Sequence, residues 1–306
     1  MTAEQRYASP VALRSAITDR LRAVVEEDPT RSLSDLMRQF AYDRLLYRVF
    51  TSDDRDRWVL KGATALLARL EGEARHSVDI DLFDQSGDLS KAEAALRAAA
   101  ARDVGDHFRF VLAPGRRLAE EGVALRVGVR AFLGVTEFAT FNVDLVTNTG
   151  MTGAPEETQP LVRVDIPGVP QTTYRIYPLA DHIADKVFAI VERHTRAGGI
   201  TIPSTRYRDL ADLVVIATHE TVDADALVAA LRAQSERRRI PIPTELRPPD
   251  DPRWRAGFAT VVRDVHAMEE KDFDAAVVVA RGFINPVLDG TAKGEWVPEQ
   301  QAWIAR

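Results

Sequence analysis

His76-Ser77-Val78-Asp79-Ile80-Asp81-Leu82-Phe83, preceded by Lys61-Gly62-Ala63-Thr64-Ala65-Leu66, is the stretch that decides how this chain folds. Apolar and polar residues alternate from Val78 to Leu82, the period of a strand with one face in a core. Val78, Ile80 and Leu82 are expected to point inward. Asp79 and Asp81 then share the other face, roughly 7 Å apart along the strand. Aspartate is disfavoured in strands, so two in one short apolar strand need a reason. Paired carboxylates on a rigid strand can hold a divalent cation, and oxygen-only ligation suits Mg2+, with Mn2+ as a substitute. The competing reading is a solvated face or a charged edge.

Working outward, Trp58-Val59-Leu60 leads into Lys61-Gly62 and then a helical pattern through Leu70. An apolar segment, a glycine and a helix make an anion site, because free backbone N–H groups and the helix dipole face the ligand. Further on, residues 125–135 and 138–146 read as a hairpin about Gly134. Its second strand carries Asp144 between apolar neighbours, where a bare carboxylate is costly unless paired or metal-bound. Asp144 is therefore either a third carboxylate beside Asp79 and Asp81 or a salt-bridged residue.

Two helices are expected in the first fifty residues, the second capped by Ser32 with Asp35 three residues on. Arg44 and Arg48 are placed at the flanks of that second helix. Residues 90–101 read as a packing helix and 108–112 as a strand. The segment 150–172 reads as a connection with one strand near Leu161-Val162. From Leu179 onward the pattern is helical, with helices near 179–191, 207–216, 222–232, 258–268 and 273–288. The proline-rich stretch 241–252 reads as a surface loop. These elements predict an α+β fold, a mixed sheet flanked by helices (1–178) followed by a helical C-terminal domain (179–306).

The chain has no cysteine, which excludes disulfides, thiolate catalysis and Cys-bound zinc. Its six histidines show no zinc spacing. No run of eighteen apolar residues occurs and the opening residues lack a signal-peptide core, so a cytoplasmic location is expected. A net charge of −6 argues against non-specific coating of nucleic acid but leaves room for a local basic groove. Lysine is scarce: only Lys61, Lys91, Lys186, Lys271 and Lys293 occur. A helix-flanked sheet with clustered aspartates and a Gly–helix anion site points to phosphoryl or nucleotidyl transfer.

These residues also carry a resemblance. Lys61-Gly62-Ala63-Thr64-Ala65-Leu66 with Ser77-Val78-Asp79-Ile80-Asp81-Leu82 resembles the first motif of the polymerase-β-like nucleotidyltransferases. It is most similar to the AbiEii-type toxins of bacterial toxin–antitoxin systems, including the mycobacterial nucleotidyltransferase toxins. Leu179-Ala180-Asp181-His182-Ile183-Ala184-Asp185-Lys186 resembles that family's lysine-bearing helix. Tyr207-Arg208-Asp209-Leu210-Ala211-Asp212-Leu213 resembles its R-D-x-x-D-L segment. One departure stands out: Gly62-Ala63 replaces the usual Gly-Gly or Gly-Ser, keeping the backbone donor but losing a hydroxyl.

The resemblance implies Asp79, Asp81 and Asp144 as catalytic and metal-binding residues, with an NTP as substrate. It implies Lys61, Gly62, Ala63, Ser77 and Lys186 at the nucleotide, Lys186 on the triphosphate, and Asp209 as an essential acid that positions Lys186 or the acceptor. It further implies a toxin that modifies RNA, foremost the tRNA 3′ acceptor end, blocks translation and is opposed by a cognate antitoxin. Arg116, Arg117, Arg126 and Arg130, with Arg193, Arg196, Arg206 and Arg208, are candidates to face RNA. The stretch 196–200 reads as a loop over the site. A protein or small-molecule acceptor, or a non-catalytic nucleotide-binding module, are the alternatives. Read without the motifs, Lys186 would be a solvated side chain and Asp209 and Asp212 an ordinary polar helix face.

Overall fold

The computed structural model describes the chain apart from residues 1–6, 73, 119–123, 196–200, 264, 266, 269 and 306, and apart from the side chains at 194–195 and 201–203. Arg196 and the glycine loop beside it therefore lie outside the described residues. The chain divides into two compact units. The first comprises residues 1–72, 76–149 and 156–176, and the second 73–75, 150–155 and 177–306.

The first unit runs α1 (Pro10–Glu27), α2 (Leu33–Phe50), β1 (Trp58–Lys61), α3 (Gly62–Arg69), β2 (Asp79–Asp84), α4 (Leu89–Ala100), β3 (Phe108–Leu112), β4 (Arg116–Arg117), β5 (Ala124–Leu133), β6 (Thr136–Val146), β7 (Glu156–Thr158) and β8 (Tyr174–Ile176). One mixed sheet has the order β3-β5-β6-β2-β1-β8-β7, with β4 paired to β5. The pairs β2–β6 and β1–β8 are parallel and the rest antiparallel.

Alternation along these strands separates two faces. Ile80, Leu82, Val127, Val129, Val143 and Leu145 are buried. Helix α2 packs on β6 from that side, Tyr42 edge-on to Phe141 with ring centroids 4.7 Å apart, and α4 packs on β3 and β6. Asp79, Asp81, Arg126, Asn142 and Asp144 occupy the other face at positions of intermediate exposure. Val78 departs from the expectation: it precedes the first paired residue of β2 and is 60% exposed.

Ser32 caps α2 as its sequence predicts, accepting from the Asp35 N–H at 3.1 Å. Arg44 and Arg48, placed at the flanks of α2 by its pattern, lie instead on its buried side. Arg44 and Arg48 are fully buried and converge on Asp106: Arg44 Nε donates at 2.8 Å, and Arg48 donates through Nη2 at 2.7 Å and Nη1 at 3.0 Å. Arg48 also donates to the carbonyls of Arg102 and Phe108, which ties α2 to the entry of β3. Burial pushes the Asp106 carboxyl up, but the two guanidiniums outweigh it and hold the group below the usual carboxylate range.

The strand expected near Leu161-Val162 is absent, and β7 lies a few residues earlier. Leu161 and Val162 are buried for another reason. Their N–H groups donate to the buried carboxylate of Asp43 at 3.0 and 2.9 Å, and the Tyr174 hydroxyl donates to it at 2.6 Å. A side chain on α2 thus does the work a strand partner would do, so an apolar pair can be buried without a ladder.

The second unit holds α5 (Leu179–Val191), β9 (Arg193–Thr195), β10 (Thr201–Pro203), α6 (Tyr207–His219), β11 (Val222–Asp223), α7 (Ala224–Arg238), α8 (Pro252–Val262), α9 (Phe273–Leu288), β12 (Glu295–Val297) and β13 (Ala302–Ile304). It is mainly helical, as expected, with five short strands besides among its described residues. Strands β9 and β10 form a hairpin, and β11-β12-β13 form a small sheet. Val222, placed in a helix by its pattern, lies in β11; the helix starts after Asp223, which caps it by accepting from the Ala226 N–H. Trp296 of β12 is buried and its indole donates to the Ala217 carbonyl at 2.7 Å, which anchors the small sheet on α6. No described helix is long and apolar enough to cross a membrane.

Candidate active site

The polar face of the first unit's sheet carries a row of charges set by register. Lys61 lies opposite Asp81, Asp81 opposite Asp144, Asp144 opposite Arg126, and Arg126 opposite Arg116. One step along, Asp79 lies opposite Asn142. In-register neighbours point the same way, so the three sequence-predicted carboxylates share one face.

The strand–helix junction shapes that face. Gly62 starts α3 at φ +62°, and a Cβ built there would lie 1.8 Å from Asp81 Oδ2. The Asp81 carboxylate therefore packs against the first turn of α3, where the positive end of the helix dipole favours an anion. Gly62 is required twice, for its backbone and for this approach. Gly62→Ala is expected to displace Asp81, strain the backbone by about 1–2 kcal/mol, and remove enzymatic activity. A variant that melts and turns over like the parent would refute this role.

Ser77 and Thr64 both donate to the backbone carbonyl of Asp79, each at 2.7 Å. The two hydroxyls fix the start of β2 and thereby aim Asp79. Asn142 donates to Asp79 Oδ1 at 2.9 Å. Arg126 grips Asp144 bidentately, Nε to Oδ1 and Nη2 to Oδ2 at 2.7 Å each, and its Nη2 reaches Asp79 Oδ2 at 3.3 Å. Of the arginines that are candidates to face RNA, Arg126 is engaged with the carboxylates and Arg130 pairs with Glu137. Thr64 and Asn142 carried no sequence signal of their own, being an ordinary helix residue and an ordinary strand residue.

Asp79 and Asp81 are partly exposed oxygen donors on one rigid strand, a set that suits a hard divalent cation. Asp144 lies at the next register position, with both of its oxygens engaged by Arg126. Among the described residues no three His, Cys, Asp or Glu side chains are gathered tightly enough to hold an ion.

The second unit contains a separate buried charge cluster. Lys186, on α5 with a side chain 5% exposed, donates to Asp209 at 3.2 Å and Asp212 at 2.5 Å. Arg75 grips Asp212 bidentately at 2.9 and 3.1 Å, and Arg206 donates to Asp209 at 2.9 Å. Lys186 is thus not a solvated lysine, nor are Asp209 and Asp212 a polar outer face. Burial pushes the Asp212 carboxyl up, but Arg75 and Lys186 outweigh it and hold the group well below the usual range. Asp212 stood in the sequence motif without an assigned role, and it is the residue that joins Lys186 to Arg75.

Residues 44–279 match the family model of the nucleotidyl transferase AbiEii toxin, a type IV toxin–antitoxin system. The chain belongs to the AbiEii nucleotidyltransferase toxin family. As an AbiEii-family chain it is a nucleotidyltransferase, with an NTP as substrate and an antitoxin as partner. Its fold is similar to that of MenT4, a nucleotidyltransferase toxin of Mycobacterium tuberculosis H37Rv. The two share 18% identity and a TM-score of 0.55, over 90% of this chain and 89% of that one. A crystal structure from H. pylori, described as a candidate nucleotidyltransferase, aligns with 17% identity and a TM-score of 0.46, over 85% of this chain and 98% of that one. No curated protein matches this sequence.

Proposed function

We propose that this toxin transfers NMP from an NTP to RNA, foremost to the 3′ acceptor end of tRNA, and so blocks translation. The observation that carries the reading is the register-matched group of Asp79, Asp81 and Asp144 beside the Gly62 turn. In the reaction the RNA hydroxyl oxygen bonds to the α-phosphorus. The bond from that phosphorus to the oxygen bridging the β-phosphate breaks, and pyrophosphate leaves with the electron pair. The hydroxyl proton passes to solvent.

Asp79 and Asp81 would hold Mg2+, with Asp144 joining them once Arg126 releases it; when bound, the ion neutralises phosphate charge and lowers the pKa of the attacking hydroxyl. Ser77 and Thr64 keep Asp79 aimed through its own carbonyl. Lys61, Gly62 and Ala63 present the start of α3 to the nucleotide. Lys186 supplies charge for the triphosphate, and its contact with Asp209 supports the role of that acid in positioning it. Exposed Arg116 and Arg117 on β4 suit phosphate contacts with RNA.

The test is incubation of the purified protein with total bacterial RNA, Mg2+ and each α-labelled NTP in turn, with Asp79→Asn as control. Label on a tRNA-sized band, absent from the control, is the expected result. Label on a protein band, or on neither, would overturn the RNA acceptor.

Lys186→Ala is expected to lower transfer by at least about a hundredfold, as loss of a preorganised charge does. Its burial adds a second effect: Asp209 and Asp212 lose a charged donor, so the melting temperature falls as well. Lys186→Arg, which keeps the charge, separates the two effects. A stable and fully active Lys186→Ala would return this lysine to a passive role.

A further inference from the structure

Carboxylates at neighbouring register positions on one sheet face repel one another. Asp79 and Asp81 on β2 and Asp144 on β6 are so placed, and a guanidinium from the next strand lies among them. A single nitrogen, Arg126 Nη2, donates to both Asp144 Oδ2 at 2.7 Å and Asp79 Oδ2 at 3.3 Å. A cation shared by those two carboxylates would compete with this guanidinium, which engages Asp79 Oδ2 and both oxygens of Asp144.

We propose that Arg126 is an internal counter-ion that competes with the divalent metal for Asp79 and Asp144, and that it leaves Asp79 when metal binds. The proposal rests on the metal reading given above. Arg126 holds Asp144 through a two-point fork but reaches Asp79 through one longer contact, so Asp79 is the oxygen donor that yields first. The other oxygen of Asp79 is held by Asn142, which keeps the carboxylate in place once Arg126 has moved.

Exposure separates this pair from a structural one. Arg48 and Asp106 are both 0% exposed, so that guanidinium has no solvent to enter. The Arg126 side chain is 33% exposed and Asp79 24%, so a displaced guanidinium can be rehydrated. A salt bridge with that exit is exchangeable, whereas a buried one is committed to the fold. Arg126 is thus a positioning residue: it keeps the carboxylates together before metal arrives and sets how tightly metal is held.

The test is titration of the full-length protein with Mn2+ in the absence of nucleotide, following free Mn2+ by electron paramagnetic resonance. Melting curves in chelator and in Mg2+ accompany it. Arg126→Met is expected to bind Mn2+ at least tenfold more tightly than the parent. It is also expected to melt lower in chelator and to gain more from Mg2+. Arg126→Lys keeps the charge without the fork and is expected to fall between the two; it also serves if the Met variant does not fold. Equal or weaker Mn2+ binding by the variants overturns the counter-ion role and leaves the metal reading standing. Absence of Mn2+ binding in parent and variants alike overturns both.

Discussion

Asp79→Asn and Asp81→Asn are each expected to reduce nucleotidyl transfer by roughly a thousandfold. A metal held by these carboxylates supplies several kcal/mol of charge stabilisation in the transition state, and about 1.4 kcal/mol is a factor of ten in rate. Asparagine keeps the volume of the side chain and one oxygen acceptor but removes the negative charge. Neither substitution should unfold the protein: Asp81 faces Asp144 across the ladder, so removing its charge relieves repulsion, and Asp79→Asn loses only one longer, partly exposed contact with Arg126. The measurement is single-turnover transfer from labelled NTP, with circular dichroism melts of the same preparations. Full transfer by either variant would remove the residue from the metal site.

A different kind of failure is expected of Asp106→Ala, where stability should fall by about 3–5 kcal/mol. The carboxylate is the shared partner of Arg44 and Arg48, both fully buried, and its removal strands two guanidiniums without a counter-charge. For a unit of this size that corresponds to a melting temperature lower by roughly 6–20 °C. The cluster also carries an acid signature. Its carboxyl is held below the usual range, so the stability it contributes is present above about pH 4 and is lost as pH falls towards the folded-state value. Scanning calorimetry at several pH values checks both points. A loss under about 1 kcal/mol would show that the arginines find other partners. Simultaneous replacement of all three by apolar residues of matching volume should cost less than the single change.

The two experiments probe different sources of order in one unit. The site variants alter partly exposed charges on which the proposed reaction rests. The Asp106 variant alters charges sealed between α2 and the entry of β3. A protein of this class needs both, because carboxylates can be held side by side only on a framework that does not yield to their repulsion.

Much of the fold was legible in the sequence where the signal is local. Period-two alternation placed β2 and the face of Asp79 and Asp81, since side-chain direction in a strand depends only on parity. Gly62 marked the strand–helix turn, and Ser32 marked the start of α2 through a bond three residues away. Motif order linked Lys186 and Asp209 to the same chemistry, and the structure shows their direct contact. Other features needed partners far along the chain. Asp43 buries Leu161 and Val162 from 118 and 119 residues away, which a strand pattern imitates. Asp106 meets Arg44 and Arg48 across 62 and 58 residues, and Arg75 meets Asp212 across 137. Periodicity reports which face a residue occupies and not which distant charge will meet it there. The sequence by itself therefore determined the strand, the turn and the carboxylates. Only the tertiary structure decided that Arg126 lies between Asp79 and Asp144, because that contact depends on the pairing of three strands in one register.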